Sequence, residues 1–368
     1  MLSLCNLIAQ TNVPPDLSAT GDQFYCPLNQ INVATSFDII DPDDTQIEAL
    51  FIQISTGYVQ GEDQLILTGT HPNIVSIWNA NQGKLTLKGV GNALVNYTDV
   101  IAAVNDVVFQ SSSINVSGEK FFSFTVGDAN YLPSTDHYYE YISSPGISWT
   151  NARAQAQTFS YFGLQGYLAT ITTPEEAQLS GEQAAGAGWI GGSDEANEGV
   201  WRWMTGPEAG IIFWNGGIGG NSPNYANWNN NEPNNLGNED YAHITAPGVG
   251  IDGSWNDLAN TGDPNPSSDY HPKGFIVEYG GTLGDPIIDI SASTKITVNE
   301  ITSYTPDLNC GPGSLTLEAN SFIGTVIWYD VPSGGTPLGF GTTFNTPFIN
   351  TTKTFYALAS VNGCTEGI

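Results

Sequence analysis

Between Trp228 and Asp257 the chain gathers oxygen donors without a Lys or Arg to neutralise them. Glu232-Pro233-Asn234 and Asn238-Glu239-Asp240 form one cluster, and Trp255-Asn256-Asp257 forms a second after a short strand-like run. Calcium takes ~6–8 oxygen ligands in flexible geometry. Glu232, Asn234, Glu239, Asn256 and Asp257 offer oxygen-bearing side chains, and bidentate carboxylates and backbone carbonyls add more. Three carboxylates can hold a divalent ion and leave coordination positions free. Two vicinal sugar hydroxyls can fill those positions, because Glu accepts hydrogen bonds while Asn both donates and accepts. Pro233 stands between two of these residues, and a cis bond there turns both neighbours to one side; cis bonds are essentially confined to X-Pro. Two plainer readings remain open at this point: a structural calcium without sugar, and a polar loop without metal.

These residues need a frame to position them. Within 128–281, Tyr138-Tyr139-Glu140-Tyr141 reads as a strand. Ser148 caps a helix that aligns Trp149, Ala152, Ala156 and Phe159 on one face. Tyr167–Ile171 is a strand, and Thr173-Pro174-Glu175-Glu176 opens a second helix with a cap, an N1 proline and two carboxylates at the positive dipole end. That helix is interrupted at Ser180-Gly181. Strands follow at Gly188–Gly192, Val200–Trp203, Tyr241–Ile244, near Trp255 and at Gly274–Tyr279. Residues 206–240 carry little regular pattern, and a loop that long inside a compact domain is usually functional. Trp189, Trp201, Trp203 and Trp255 are expected in the core. For Trp214, Tyr225 and Trp228, packing is favoured over stacking on a sugar. His137 and His243 read as structural, and His71 and His271 as turn residues before Pro. Zinc is not expected, since Cys is scarce and His unclustered.

The chain is long enough for two or three domains. Residues 1–19 read as a signal remnant or linker. Residues 20–127 carry short β-rich runs, among them 31–37, 50–55, 64–68, 74–78, 84–88 and 107–110, with one helix beginning at Thr98-Asp99; together they suggest a β-sandwich. Asp41-Pro42-Asp43-Asp44, with Gly61-Glu62-Asp63, is an alternative calcium candidate, though an acidic turn is favoured. Residues 282–302 read as a linker, and 303–368 as a strand-rich unit with Trp328 between Cys310 and Cys364, which are expected to pair. That unit stops where a closing strand is expected, so a fragment of a longer protein with further domains is anticipated. Cys5 is one candidate partner for Cys26. The pairing favours an oxidising compartment.

Lys and Arg number 8 against 37 Asp and Glu, a net charge of −29. Such a surface repels phosphate backbones and anionic headgroups, which excludes nucleic acid and membrane surfaces as partners. No apolar run reaches the ~20 residues of a membrane span. A glycosidase needs two carboxylates in different environments across a cleft. The sequence offers no sign of a raised-pKa acid or of a nucleophile–base pair, so an enzyme is not expected.

Residues 128–281 resemble the C-type lectin domain. The likeness rests on Trp189-Ile190-Gly191-Gly192, Glu198-Gly199-Val200-Trp201-Arg202-Trp203, Glu232-Pro233-Asn234, Asn238-Glu239-Asp240 and Trp255-Asn256-Asp257, in the family's order. The resemblance implies a central α+β fold and a principal calcium on Glu232, Asn234, Glu239, Asn256 and Asp257, which would also contact the carbohydrate. It implies mannose-type sugars, because Glu-Pro-Asn rather than Gln-Pro-Asp goes with equatorial 3- and 4-hydroxyls. A second calcium would map to Asp194, Glu198, Asn235 and Asp240. The chain departs from the family in lacking its usual disulfides, with Tyr241 where a cysteine often stands, and in an insertion at Ala246–Gly250. Residues 20–127, notably Thr56–Leu65, resemble cadherin-like modules of large bacterial surface adhesins. Residues 303–368 resemble immunoglobulin-like repeats of secreted bacterial surface proteins. The fold expected is therefore multidomain and mainly β: an N-terminal β-sandwich, a central C-type-lectin-like domain and a C-terminal immunoglobulin-like β-sandwich. The function expected is calcium-dependent glycan binding in a secreted or cell-surface adhesin, with a structural or protein-binding segment as the alternative.

Overall fold

A computed structural model describes residues 12–113, 116–332 and 335–361 and the backbone of 364–365. The first unit is built on a six-stranded sheet, in the order Gln23–Tyr25, Ser291–Val298, Glu119–Thr125, Ala49–Thr56, Lys84–Gly89 and Ile74–Asn79. Over it lie Ile31–Asn32, Val107–Ser111 and Asp63–Leu67, the hairpin-like pair Asp16–Thr20 and Ser36–Ile40, and a helix, Tyr97–Asn105. Alternation along Ala49–Thr56 and Glu119–Thr125 drives Leu50, Ile52, Ile54, Phe122 and Phe124 into the space between the layers, where they meet Phe109, Val100 and Val104. The helix starts before the expected cap: Asn96 is the N-cap, and Asp99 sits in the first turn.

The expected linker at 282–302 is a misreading. Ser291–Val298 is a strand of the first unit, paired antiparallel with Glu119–Thr125 from Thr125↔Ser291 to Glu119↔Thr297. Its register decides the matter, because Ile296 and Val298 are buried in the first unit's core while Lys295 reaches Glu119 at the surface. Everything between Thr125 and Ser291 is therefore inserted between two neighbouring strands.

The inserted unit has one branched sheet. Its main path runs Asn130–Leu132, His137–Ser143, Gly274–Tyr279, Trp189–Ser193, Val200–Trp203 and Ile212–Asn215; Tyr241–Ile244 and Trp255–Leu258 branch from Trp189–Ser193. Ser148 caps Trp149–Ala156 by accepting from Asn151 N at 3.3 Å, and Trp149, Ala152 and Ala156 face the core. Thr173 caps the short helix Pro174–Ala177 through Glu176 N at 3.2 Å. That helix widens into a π-turn at Gln178–Glu182. Gly181 is required there, because a Cβ would come within 2.8 Å of Gly253 Cα. Trp189, Trp201, Trp203 and Trp255 are fully buried, as expected.

The last unit packs Ile301–Thr305, Thr316–Ser321 and Thr343–Asn345 against a sheet of Gly339–Phe340, Thr325–Tyr329, Tyr356–Val361 and Cys364–Thr365. Trp328 lies in its core, stacked on Phe344 at 5.4 Å. The expected Cys310–Cys364 bridge is not made: Cys310 is an exposed, free thiol. It sits in the irregular stretch between Thr305 and Thr316. Cys26 is disulfide-bonded; Cys5 lies outside the described residues. Among the described residues no helix is long and apolar enough to cross a membrane.

Candidate functional site

The site begins with Trp255–Leu258, a strand whose residues are all buried. One edge pairs with Tyr241–Ile244, from Ile244↔Trp255 to Tyr241↔Leu258. The long loop attaches to the same strand. Trp255 N donates to Asn227 O at 2.7 Å, and Asn229 N donates to Trp255 O at 2.8 Å. Trp228 then packs edge-on against Trp201 at 4.7 Å and against Trp255 at 5.9 Å. Trp214, Tyr225 and Trp228 are half-buried against this core, the packing role expected of them. The disulfide-free loop is thus held by aromatic burial and backbone pairing.

Beyond Trp228 the chain turns through a cis Glu232–Pro233 bond. Asp257, which has no exposed surface, receives the following residues: Asn234 N donates to Oδ1 at 3.0 Å and Asn235 N donates to Oδ2 at 2.7 Å. Leu236 N is shared between Asn234 Oδ1 at 2.8 Å and Glu239 Oε2 at 3.0 Å. Glu239 N closes back on Asn235 Oδ1 at 2.8 Å. The fold therefore links Asn234, Glu239 and Asp257 through the backbone of 234–236; Asn256 precedes Asp257 in its strand, and Glu232 opens the cis bond that leads into Asn234.

The second set lies alongside. Asn235 Nδ2 donates to Glu198 Oε1 at 2.7 Å, Gly199 N donates to Asp194 Oδ2 at 2.8 Å, and Asp194 N donates to Asp240 O at 3.2 Å. Asn238 Nδ2 donates to Asp240 Oδ2 at 2.8 Å. Asn235 joins the two sets, touching Asp257 with its backbone and Glu198 with its side chain.

Three buried oxygens in these sets have no hydrogen-bond partner: Glu232 Oε2, Asn256 Oδ1 and Asp194 Oδ1. Buried polar atoms are nearly always satisfied, so an orphan calls for an explanation. None of the ion pairs among the described residues involves these acids. Burial, reinforced by neighbouring Asp257 and Glu239, pushes Glu232 up to about 8. Burial and Asp257 push Glu239 to about 7. Burial, with Glu198, Asp240 and Asp257 around it, pushes Asp194 to about 7, and Asp240 is raised as well. The sequence displayed the acids but not their burial, which is the largest cause in each case. An orphaned oxygen set that resists ionisation without a counter-charge fits a hard cation.

The convergence is incomplete. Among the described residues, the acidic trio that brings one carboxylate oxygen each within 4.8 Å of the others is Asp41, Asp43 and Asp44. Glu232, Glu239 and Asp257 do not close to that distance as a set. Asp41 is already engaged, accepting from Asp43 N and Asp44 N at 3.0 and 2.9 Å and from Tyr97 Oη at 2.6 Å.

The sequence reading missed a second buried acidic network. Glu278 and Glu176 both meet Tyr139 Oη, at 3.3 and 2.8 Å. Glu278 also meets His137 Nδ1 at 2.6 Å and accepts from Thr170 N at 2.8 Å. Its signal in the sequence is an acid within Gly274–Tyr279, a strand otherwise reading as core. His243 is buried against Trp189, in keeping with a structural role, and burial lowers its pKa to about 4.

Comparisons with known proteins agree with this architecture. The family model described as "Ig-like domain CHU_C associated" matches residues 298–367. Halomucin of Haloquadratum walsbyi is 32% identical over 271 residues, covering 71% of this chain and 3% of halomucin. The alpha-N-acetylgalactosamine-specific lectin of Patiria pectinifera is 30% identical over 128 residues, 33% of this chain and 66% of the lectin. The mouse scavenger receptor C-type lectin carbohydrate-recognition domain aligns with 40% of this chain and 93% of its own, at 21% identity and a TM-score of 0.28. The chain thus spans a small fraction of halomucin and just under two thirds of the starfish lectin. The molecule is mainly β, with a C-type lectin-like central unit and an immunoglobulin-like C-terminal unit.

Proposed function

We propose that the central unit is a calcium-dependent carbohydrate-binding module, carried on a secreted or cell-surface adhesin. The single observation that supports this most is the pair of buried, unpartnered oxygens Glu232 Oε2 and Asn256 Oδ1. Glu232, Asn234, Glu239, Asn256 and Asp257 would hold the principal ion; Asp194, Glu198, Asn235 and Asp240 would hold a second. A bound calcium would supply positive charge and open coordination positions for a vicinal diol. The chain's own part is to orient the acceptors. Asp257 fixes the backbone of 234–235, that backbone presents Asn234, and Leu236 N draws Asn234 Oδ1 and Glu239 Oε2 to one side. Glu232 and Asn234 then accept from and donate to the sugar hydroxyls.

The Glu-Pro-Asn triplet favours mannose-type sugars in this reading, although one relative is by name an N-acetylgalactosamine lectin. A glycan array read with and without EDTA tests both points. Mannose-rich glycans should be retained in calcium and released by EDTA. Retention that ignores EDTA would sink the mechanism, and EDTA-sensitive retention of galactosamine glycans alone would overturn the specificity. The double change Glu232→Gln with Asn234→Asp should shift preference toward galactose.

A further inference from the structure

Lys120 and Asp63 form a buried pair away from the site, inside the first unit. Lys120 Nζ lies 2.6 Å from Asp63 Oδ2, and both side chains are almost wholly withdrawn from solvent, at 3% and 1% exposure. Lys120 belongs to Glu119–Thr125 of the six-stranded sheet, and Asp63 opens Asp63–Leu67 of the facing three-stranded sheet. Phe109 lies 5.9 Å from the Nζ, and Tyr25, Tyr58 and Val116 are buried members of the same core.

Read as an ion pair, this arrangement leaves polar atoms unmet. An ammonium has three N–H donors. Two acceptors are recorded for Lys120 among the described residues: Gly57 O at 2.5 Å and Asp63 Oδ2. Asp63 Oδ2 also accepts from Val59 N at 2.9 Å, whereas Asp63 Oδ1 is buried with no partner. Burying an imperfectly satisfied charge pair is costly. A single change removes every unmet atom. If Nζ were bonded to Cγ, its remaining N–H would donate to Gly57 O, Oδ2 would keep the Val59 N–H, and Oδ1 would be gone.

We infer that Lys120 and Asp63 are the reacting partners of an intramolecular amide cross-link joining the two sheets. The ammonium passes one proton to Oδ1, and the neutral Nζ adds to Cγ. Val59 N–H stabilises the charge that develops on Oδ2. A second proton then moves from nitrogen to Oδ1, the Cγ–Oδ1 bond breaks, and one water leaves. No oxidant, reductant or cofactor enters the balance. The pair borders a surface cleft lined by Glu62, Ser117 and Gln178, which gives the water a way out. The proximity needed is supplied by folding, since a reacting pair held in contact inside a packed core behaves as a unimolecular system.

The test is the intact mass of the full chain, purified and fully reduced. It should be lighter than its sequence mass by one water, and a peptide map should contain a branched species joining the segments around residues 63 and 120. Lys120→Arg should restore the full mass. A wild-type mass equal to the sequence mass overturns the inference. So does a lost water that maps elsewhere, for instance to a succinimide at Asp252-Gly253. Because the wild-type measurement decides, a variant that fails to fold does not obscure the answer.

Discussion

Asp257 does two things at once, and the two can be separated. It is a candidate ion ligand, and it also fixes the loop by accepting from Asn234 N and Asn235 N. Asp257→Ala should abolish calcium-induced thermal stabilisation and sugar retention together. It should also lower stability in EDTA by about 1–3 kcal/mol, the usual cost of orphaning buried donors. Sugar retention in that variant would contradict a shared ion. The raised acids carry a pH consequence. Asp194, Glu232 and Glu239 hold their protons in the fold to about 7, 8 and 7, against ordinary values of 3.8, 4.5 and 4.5. Each raised group stabilises the fold fully below its unfolded value, and the contribution is lost as pH rises through the folded value. The calcium-free protein should therefore melt lower in EDTA at about pH 8 than at about pH 5, and calcium should raise the melting point more at the higher pH. Equal shifts at both pH values would mean that these carboxylates do not face the ion.

At the scale of elements, the sequence disclosed what local chemistry controls. Ser148 and Thr173 announced their helices because a cap is a short-range hydrogen bond, and both bonds are present. The four core tryptophans were legible from their large apolar rings in strand-like runs. What stayed hidden depends on contacts distant in sequence. The strand Ser291–Val298 shows an alternating pattern, but nothing local says that its partner lies at Glu119–Thr125. The mutual approach of Gly181 and Gly253 is likewise invisible until the two loops are folded together. Gly181→Ala should cost about 1–3 kcal/mol by overpacking. Because Gly253 lies two residues before Trp255, the same change should also weaken calcium binding; an unaltered calcium response alongside a lowered melting point would separate the π-turn from the site. For the candidate site, residue types were readable at 232–257, whereas the burial that raises the acids and strands their oxygens was not.

At the scale of the molecule, the inserted unit is fastened to the first by more than the two crossings. Gln178 accepts from Gly57 N at 3.1 Å and donates to Tyr58 O at 2.8 Å. Gln183 Nε2 donates to Ile54 O and Gln82 O at 2.8 and 2.9 Å, and Lys84 Nζ donates to Asp128 O at 2.7 Å. Gln178 opens the π-turn and Gln183 caps its end, so its odd geometry serves the junction between units as well as the approach to Gly253. Gln183→Ala should lower the melting point by orphaning the backbone carbonyls it serves while leaving sugar retention intact. A loss of retention would mean that the first unit shapes the binding face.

The parallel pairing of Gln23–Tyr25 with Ser291–Val298 also sets the path of mechanical load. Where a chain is pulled from both ends, tension follows the shortest continuous route of backbone and interstrand hydrogen bonds. Here that route crosses directly from Gln23–Tyr25 to Ser291–Val298 and on into Ile301–Thr305, bypassing residues 126–290. The lectin-like unit hangs beside that line as a pendant, so tension carried along the chain from end to end passes its loop by until the supporting sheet itself shears.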